Sequence, residues 1–436
     1  LLFVISALII GFDELVIVTL GRGLNVYLDF ELLRSAWDLS LSNLGTITTF
    51  TAIAAGVLLV TGLIFLIGQL LDGLATHPRS TNPWLAMVTL GGGLLLLIVP
   101  TIRFTTSAGV DSLRHQATQV LLTRSAHENF RQQMADTANT TQPVPLAALE
   151  NRDVLLVFIE SYGRQALDDP AYAPMIEQRL ETMAATLARA NLGVVSGLVQ
   201  APIQGGQSWL SHGSLLSGEW LNNQLDYEGM LDSGIPTLIA DFNATGHHTV
   251  AIMPANTREW LPGNQLGFDT VFDATNMGYA GPAFNFVTMP DQYTLHWFDH
   301  AVRQPSHAPV FAEIALISSH APWVPVLPLL NWDELAGGGA YAQYTEGHPT
   351  PETVFSDNAL VRDYYLRALD YTLAVVTEYA ARYLGPDDLL MVVGDHEAPP
   401  LVTQTAVTRA VPIHIISGQS ALLAPWLARA GGWRTG

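Results

Sequence analysis

Apolar positions follow two regimes along the chain. In the first hundred residues they run on almost without interruption. Residues 44–71 are 28 positions without a charge, and residues 84–102 are 19 more, bounded by Arg79 and Arg103. A helix needs roughly 20 apolar residues to cross a hydrocarbon core, so each run predicts a membrane-spanning helix. Residues 1–20 form a third apolar run, broken by Asp13 and Glu14. It reads either as a span with a buried acidic pair or as the tail of a span that begins before residue 1. The lack of a basic start and the two spans that follow argue against a cleaved signal peptide. Residues 104–148 then turn polar, with several Gln and Thr and a Pro143-Val144-Pro145. They predict a linker carrying an amphipathic helix near residues 110–133.

Beyond residue 149 the apolar runs shorten and alternate with helical spacing. Residues 153–160, DVLLVFIE, have the length and apolar density of a strand buried on both faces. Further strands are predicted at 192–199, 248–253, 310–318, 389–393 and 412–417. Helices are predicted at 175–190, 208–217, 235–245 and 357–382. Such alternation implies an α/β domain with a mainly parallel central sheet. The expected layout is a transmembrane α-helical anchor at 1–103, the linker at 104–148 and the α/β domain at 149–436. Ligands in such sheets bind at the carboxyl ends of the strands, and that rule directs the search for chemistry.

Composition divides along the same line. Charged residues make up only 13% of the 436, about half the roughly 25% of a soluble domain. The net charge of −20 comes from 39 acids and 19 basic residues, and every basic residue is Arg. Residues 1–103 hold six acids and four Arg, a balance of −2, whereas residues 104–436 hold 33 acids and 15 Arg, a balance of −18. A domain this acidic is unsuited to nucleic acid, whose phosphates call for clustered Lys and Arg. With no Cys there is no disulfide, thiolate nucleophile or Cys-based zinc site. Two Arg in the loop at 21–43 against one in the loop at 72–83 do not fix the membrane orientation.

Four segments carry reactive groups. The first strand ends in Glu160-Ser161-Tyr162-Gly163, and the strand at 389 ends in Gly394-Asp395-His396. The strand at 310 ends in Ser318-Ser319-His320-Ala321-Pro322. Between them Gln204-Gly205-Gly206-Gln207-Ser208 is a glycine turn opening a helix, where backbone N–H groups and the helix dipole favour an anion. Glu160, Asp395 and His396 together form a hard, mostly oxygen donor set suited to Mn²⁺, Mg²⁺ or Zn²⁺. A divalent ion touching Ser208 Oγ would lower its pKa and make it a nucleophile. His320 would stand beside the pocket as a substrate donor or leaving-group acid. Taken singly, each has a plainer role: Ser208 as a helix N-cap, Ser211, Ser214 and Ser217 as competing hydroxyls, His396 as a structural histidine. Their succession at strand ends is what favours the chemical role.

These residues resemble the membrane-anchored, sulfatase-like branch of the alkaline phosphatase superfamily, which includes lipoteichoic acid synthases and phosphoethanolamine transferases. The resemblance covers roughly residues 150–420 and the general layout of the anchor. It implies an alkaline-phosphatase-like α/β domain outside the membrane and one divalent metal ion. Glu160, Ser208, Asp395 and His396 are then the metal ligands, Ser208 the nucleophile, and His320 a catalytic and substrate-contacting group. The teichoic acid enzymes carry His, then Trp and Arg, after the strand matching 248–253. Here Arg258 and Trp260 occupy that stretch without the His, and they are carried as substrate-binding candidates together with His212; His414 is a further spare histidine. The implied partners are a membrane lipid as donor and an envelope glycan or lipid as acceptor. The implied location is multi-pass in a bacterial inner membrane, with the catalytic domain periplasmic or extracellular.

Departures narrow the reading. Ser208 is followed by Trp-Leu-Ser rather than the sulfatase x-P-x-R, which argues against sulfate-ester hydrolysis. The expected activity is phospho-group transfer or hydrolysis on a phosphodiester through a phosphoseryl intermediate. The alternatives are a phosphatase or phosphodiesterase on soluble esters, and a non-catalytic envelope relative. No Gly-x-Ser-x-Gly surrounds Ser208, which argues against an α/β-hydrolase.

Overall fold

A computed structural model of the protein describes residues 9–17, 23–30, 46–76, 106–404, 408–428 and 434–435. Side chains in helix α1 (Thr46–Thr76) are described without a break only as far as Leu58, then at scattered positions. The chain divides into two compact units, one holding the described residues up to Glu128 and the other those from Asn129 onward.

In the first unit α1 is 31 residues long and rich in Leu, Ile, Val and Ala. Its described apolar side chains are exposed, with Ile47 at 84% and Leu58 at 72%. Among the described residues no helix is long and apolar enough to cross a membrane. The run at 84–102 lies outside the described residues. Residues 9–17 are helical, but Asp13 and Glu14 do not form a buried acidic pair. Asp13 accepts a hydrogen bond from the Leu24 backbone at 2.6 Å, and Glu14 is exposed. Helix α2 (Thr106–Thr140) is longer than its amphipathic core suggests. Asn25 Nδ2 donates to Thr123 Oγ1 on it at 2.8 Å, and Gln116 Nε2 donates to the Leu24 carbonyl at 2.8 Å. From Asn129 onward α2 belongs to the second unit, where Met134 is fully buried.

The second unit is built on an eight-stranded sheet ordered β4-β3-β5-β1-β6-β7-β2-β8. Its strands are β1 (Val154–Ile159), β2 (Gly193–Gln200), β3 (His248–Met253), β4 (Thr270–Asp273), β5 (Val310–Leu316), β6 (Leu389–Gly394), β7 (Ala410–Ser417) and β8 (Arg434–Thr435). β4, β3, β5, β1 and β6 run parallel, whereas β7 pairs antiparallel with both β6 and β2. The sheet is thus mainly parallel with a mixed edge. Pro412 fits inside β7 because pairing with β6 begins only at Ile413, so the missing N–H breaks no bond on that side.

Period-two alternation divides the core. Leu155, Val157 and Ile159 of β1 face one apolar cluster, while Val154, Leu156 and Phe158 face the other. Helices α3 (Ala173–Arg189) and α6 (Asn358–Tyr383) cover the first face with Ile176, Met183, Leu187, Leu369, Leu373 and Val376. Helix α4 (Ser208–Ser217) and its neighbours cover the second through Leu210 and Leu216. Asp357 caps α6 by accepting from the Ala359 N–H at 2.8 Å, which is why the helix starts one residue after its predicted first position. Among the elements absent from the sequence reading, β4, β8 and helix α5 (Asp291–Phe298) are short and lack a sustained period. The register places Ile159 beside Gly394 and Leu316, so β1, β6 and β5 end level with one another.

Candidate active site

Because β1 and β6 end together, Glu160 and Asp395 emerge side by side. Gly394 makes this possible: a Cβ there would lie 1.9 Å from the Tyr162 carbonyl oxygen, so only glycine lets the two chains approach so closely. Ser161 turns the chain with φ 57°, a left-handed conformation that costs an L-residue energy. Three bonds hold it there. Its N–H donates to Asp395 Oδ1 at 2.8 Å, its hydroxyl donates to Glu160 Oε1 at 2.8 Å, and its carbonyl accepts from Tyr365 Oη at 2.9 Å.

Ser208 arrives from the other side of the cleft. The turn before it has three successive positive φ values, at Gly205 (78°), Gly206 (147°) and Gln207 (64°). Gly205 N–H donates to the Glu397 carbonyl at 3.0 Å and ties the turn to the segment after β6. Gln207 occupies the N-cap position, so Ser208 is the first helical residue and not the cap. Its hydroxyl is therefore free of the capping role and points inward, donating to Glu160 Oε2 at 3.1 Å with His396 Nε2 3.2 Å away.

His396 is fixed by its other nitrogen. Nδ1 lies 2.9 Å from the Glu397 carbonyl, which can only accept, so Nδ1 carries the hydrogen and Nε2 faces the centre. Nε2 is 3.4 Å from Glu160 Oε1 and 3.6 Å from Asp395 Oδ2. Donor atoms of Glu160, Asp395 and His396 all lie within 4.8 Å of one another. Asp395 and His396 are 1% exposed, which takes a carboxylate and an imidazole out of water together, beside the partly buried Glu160.

The electrostatics express a deficit of positive charge. Burial, then the neighbouring Glu160 charge, pushes the Asp395 carboxyl up to about 7. Burial alone would raise Glu160 too. The His396 and His320 rings and the Ser161 hydroxyl outweigh it and bring Glu160 down to about 2. Burial disfavours a charged His396, yet Asp395 and Glu160 raise its pKa overall. Converging lone pairs, one shared serine proton and an imidazole locked with Nε2 inward are what a divalent cation requires of its ligands, including the hydrogen bond that orients the histidine. The donor set fits such an ion and excludes a soft, thiolate-preferring one.

The other predicted residues sit around this centre in different ways. His320 lies on the loop after β5. Its Nδ1 donates to the Ala321 carbonyl at 2.6 Å, and its ring stacks on Phe286 at 3.7 Å and 15°. The adjacent Ser319 hydroxyl donates to the Glu160 carbonyl at 2.6 Å, which ties this loop to the end of β1. His212 is buried beneath the site: its ring stacks on Phe158 at 3.8 Å, and Nδ1 lies 2.8 Å from Glu313 Oε1. Trp260 packs against Gly263 at the start of a short helix, and Arg258 is exposed on the loop after β3. His414 is buried in β7, bonded to Tyr162 Oη and Ser196 Oγ.

Sequence reasoning missed several participants. Glu397 follows His396, is fully buried, and accepts from the Gln165 and Ala398 backbones at 3.0 Å each. Burial pushes its carboxyl up to about 7. Asp291 braces the loop after β5 by accepting from the Ile317 and Ser318 backbones at 2.7 and 2.9 Å. Adjacency to Asp395-His396 was the one signal for Glu397; Asp291 and Glu313 had none.

No family model and no curated protein matches the chain. Solved structures do. The integral membrane lipooligosaccharide phosphoethanolamine transferase A (EptA) of Neisseria meningitidis matches with TM-score 0.50 and 13% identity, over 95% of this chain and 77% of that one. At that identity the likeness shows a shared fold with this transferase. Two further solved structures match over part of the chain. The phosphoglycerol transferase GacH of Streptococcus pyogenes, solved with sn-glycerol-1-phosphate, has TM-score 0.39 and 15% identity over 67% of this chain and 74% of that one. The zinc complex of the periplasmic domain of EptC from Escherichia coli has TM-score 0.40 and 16% identity over 66% and 80%. The cluster of Glu160, Asp395 and His396, which Ser208 meets from α4, lies at the carboxyl ends of β1 and β6, where parallel sheets place their ligands.

Proposed function

We propose that the chain is a metal-dependent phospho-group transferase or hydrolase acting on a phosphodiester, with a phospholipid head group as substrate. The observation that carries this reading is one geometry: Ser208 Oγ lies 3.1 Å from Glu160 Oε2 and 3.2 Å from His396 Nε2, beside the buried Asp395.

Glu160, Asp395, His396 and Ser208 Oγ would hold one divalent ion, Mn²⁺, Mg²⁺ or Zn²⁺. When bound, it supplies positive charge that favours the serine alkoxide and polarises a phosphoryl oxygen. The chain's own residues do the remainder. Ser208 Oγ attacks phosphorus; an Oγ–P bond forms as the bond to the leaving alkoxide breaks. His320, held by Phe286 and the Ala321 carbonyl, gives the leaving oxygen its proton. An acceptor hydroxyl or water then gives its proton to His320 and attacks the phosphoseryl group, and the Oγ–P bond breaks to return the Ser208 oxygen. N–H groups at the start of α4 face the developing negative charge. Arg258 and Trp260 are proposed as substrate contacts from the loop after β3.

The anchor reading rests on the uncharged runs and on the exposed apolar side chains of α1. We assign residues 1–103 to a multi-pass membrane anchor, 104–148 to a linker and 149–436 to a catalytic domain outside a bacterial inner membrane. A lipid donor and an envelope lipid or glycan acceptor follow from that placement. The test is turnover of a phosphodiester by the full chain in detergent with Mn²⁺. Ser208→Ala abolishes turnover on this account; full activity in that variant overturns it.

A further inference from the structure

One buried carboxylate near the site has no part in the ligand set. Glu313 is the fourth residue of β5, aligned with Leu156 of β1 on one side and Ala251 of β3 on the other. It is 0% exposed in the middle of a five-stranded parallel region. A carboxylate in such a place is unfavourable unless something specific meets it. One oxygen is met: His212 Nδ1 donates to Oε1 at 2.8 Å. The other, Oε2, has no hydrogen-bond partner among the described residues. A Leu or Met would fill this position without leaving an orphaned oxygen.

The partner explains the placement. His212 lies four residues after Ser208 on α4, so the two side chains share one face of that helix. The His212 ring is gripped twice. It stacks on Phe158 of β1 at 3.8 Å and 14°, two residues before Glu160, and it bonds to Glu313 of β5. The stack sets the distance of α4 from the sheet. The hydrogen bond, which is directional, sets its rotation. On the opposite side the turn before α4 is tied to the segment after β6 through Gly205 N–H, which donates to the Glu397 carbonyl, and through a bridge between Gln204 and Glu397. A small rotation of α4 would carry Ser208 Oγ away from Glu160 and His396.

We propose that Glu313 and His212 are positioning residues that fix the rotation of α4 and so aim Ser208 Oγ into the cation site. The inference rests on the reading of Ser208 as ligand and nucleophile. Mn²⁺ affinity of the full chain in detergent, measured by calorimetry, tests it without reference to turnover. Glu313→Gln weakens Mn²⁺ binding by about tenfold or more, the effect expected when the support of a metal ligand is lost. His212→Phe keeps the stack and loses the donor, and has the same effect. His212→Asn places an amide donor where Nδ1 stood and recovers most of the affinity. In the Ser208→Ala background Glu313→Gln adds no further loss, because the pair acts through Ser208. With bis(p-nitrophenyl) phosphate as probe, Glu313→Gln lowers kcat while KM stays unchanged.

Equal weakening by Glu313→Gln with and without Ser208 overturns the proposal, as does no weakening at all. If Glu313→Gln fails to fold, the comparison of His212→Asn with His212→Phe, read beside their melting temperatures, carries the same test. A wild-type chain that binds no Mn²⁺ overturns the functional reading and this inference together. A chain that binds Mn²⁺ normally whatever stands at 313 overturns the inference alone.

Discussion

His414 makes the unit sensitive to acid in a way that can be isolated. It lies in β7, 2% exposed, with Nε2 3.0 Å from Tyr162 Oη and Nδ1 2.8 Å from Ser196 Oγ. Both partners are neutral hydroxyls, and burial alone pulls the imidazole from 6.5 down to about 4. The folded state therefore refuses a proton that the unfolded chain accepts below pH 6.5. This contribution is complete above pH 6.5, falls as pH drops, and is gone below about 4. A depression from 6.5 to about 4 corresponds to about 3 kcal/mol, lost at about 1.4 kcal/mol per pH unit. His414→Gln keeps a donor and an acceptor and cannot take up the proton. Urea unfolding of both proteins, followed by near-UV circular dichroism at steps from pH 7.5 to 4, gives the difference in stability at each pH. Groups raised by burial, such as Asp395 and Glu397, shift stability in the opposite direction but are common to both proteins and cancel. Wild type should lose about 3 kcal/mol relative to the variant across this range. Parallel curves would refute the idea that a neutral, buried His414 limits stability in acid.

Two further substitutions probe parts of the unit with different expected consequences. Arg303 joins Asp153, Asp299 and Asp388 near the amino ends of β1 and β6 and is 11% exposed. Arg303→Met strands three carboxylates, at a cost of about 3–5 kcal/mol, and lowers the melting temperature by about 6–20 °C. The site lies at the other end of the strands, so Mn²⁺ affinity of the folded protein stays as it was; calorimetry reads both quantities, and an unchanged melting temperature contradicts the network's role. Gly394→Ala puts a Cβ 1.9 Å from the Tyr162 carbonyl oxygen. It should cost about 1–3 kcal/mol and displace Asp395, so that Mn²⁺ binding is lost even where the fold survives; wild-type Mn²⁺ affinity would show that the two chains can separate freely.

What the sequence disclosed follows from which forces act locally. The long strands and helices β1, β3, β6, α3, α4 and α6 were legible because apolar period and length agree there. So was the grouping of Glu160, Asp395 and His396, whose donor atoms lie within 4.8 Å of one another, since a polar residue directly after a buried strand stands out against its neighbours. β4 and β8 were not legible: four and two residues hold too little pattern, and tertiary pairing creates them. The antiparallel insertion of β7 between β6 and β2 was hidden because strand order depends on packing over the whole sheet. Glu313 was hidden most completely. A single acid within VFAEIAL reads as an interruption, and only the fold brings His212 to it from a hundred residues away. His212 itself was singled out as a substrate contact; it lies stacked on Phe158 and bonded to Glu313.

The central claim concerns a bond to Ser208, and mass spectrometry reads that bond directly. The full chain, mixed with Mn²⁺ and bis(p-nitrophenyl) phosphate and quenched in acid during turnover, is digested and mapped. The account predicts a nitrophenylphosphoryl adduct on the peptide carrying Ser208, absent from Ser208→Ala, which also shows no turnover. Sustained turnover with the adduct on another residue, or undiminished turnover by Ser208→Ala, would contradict it.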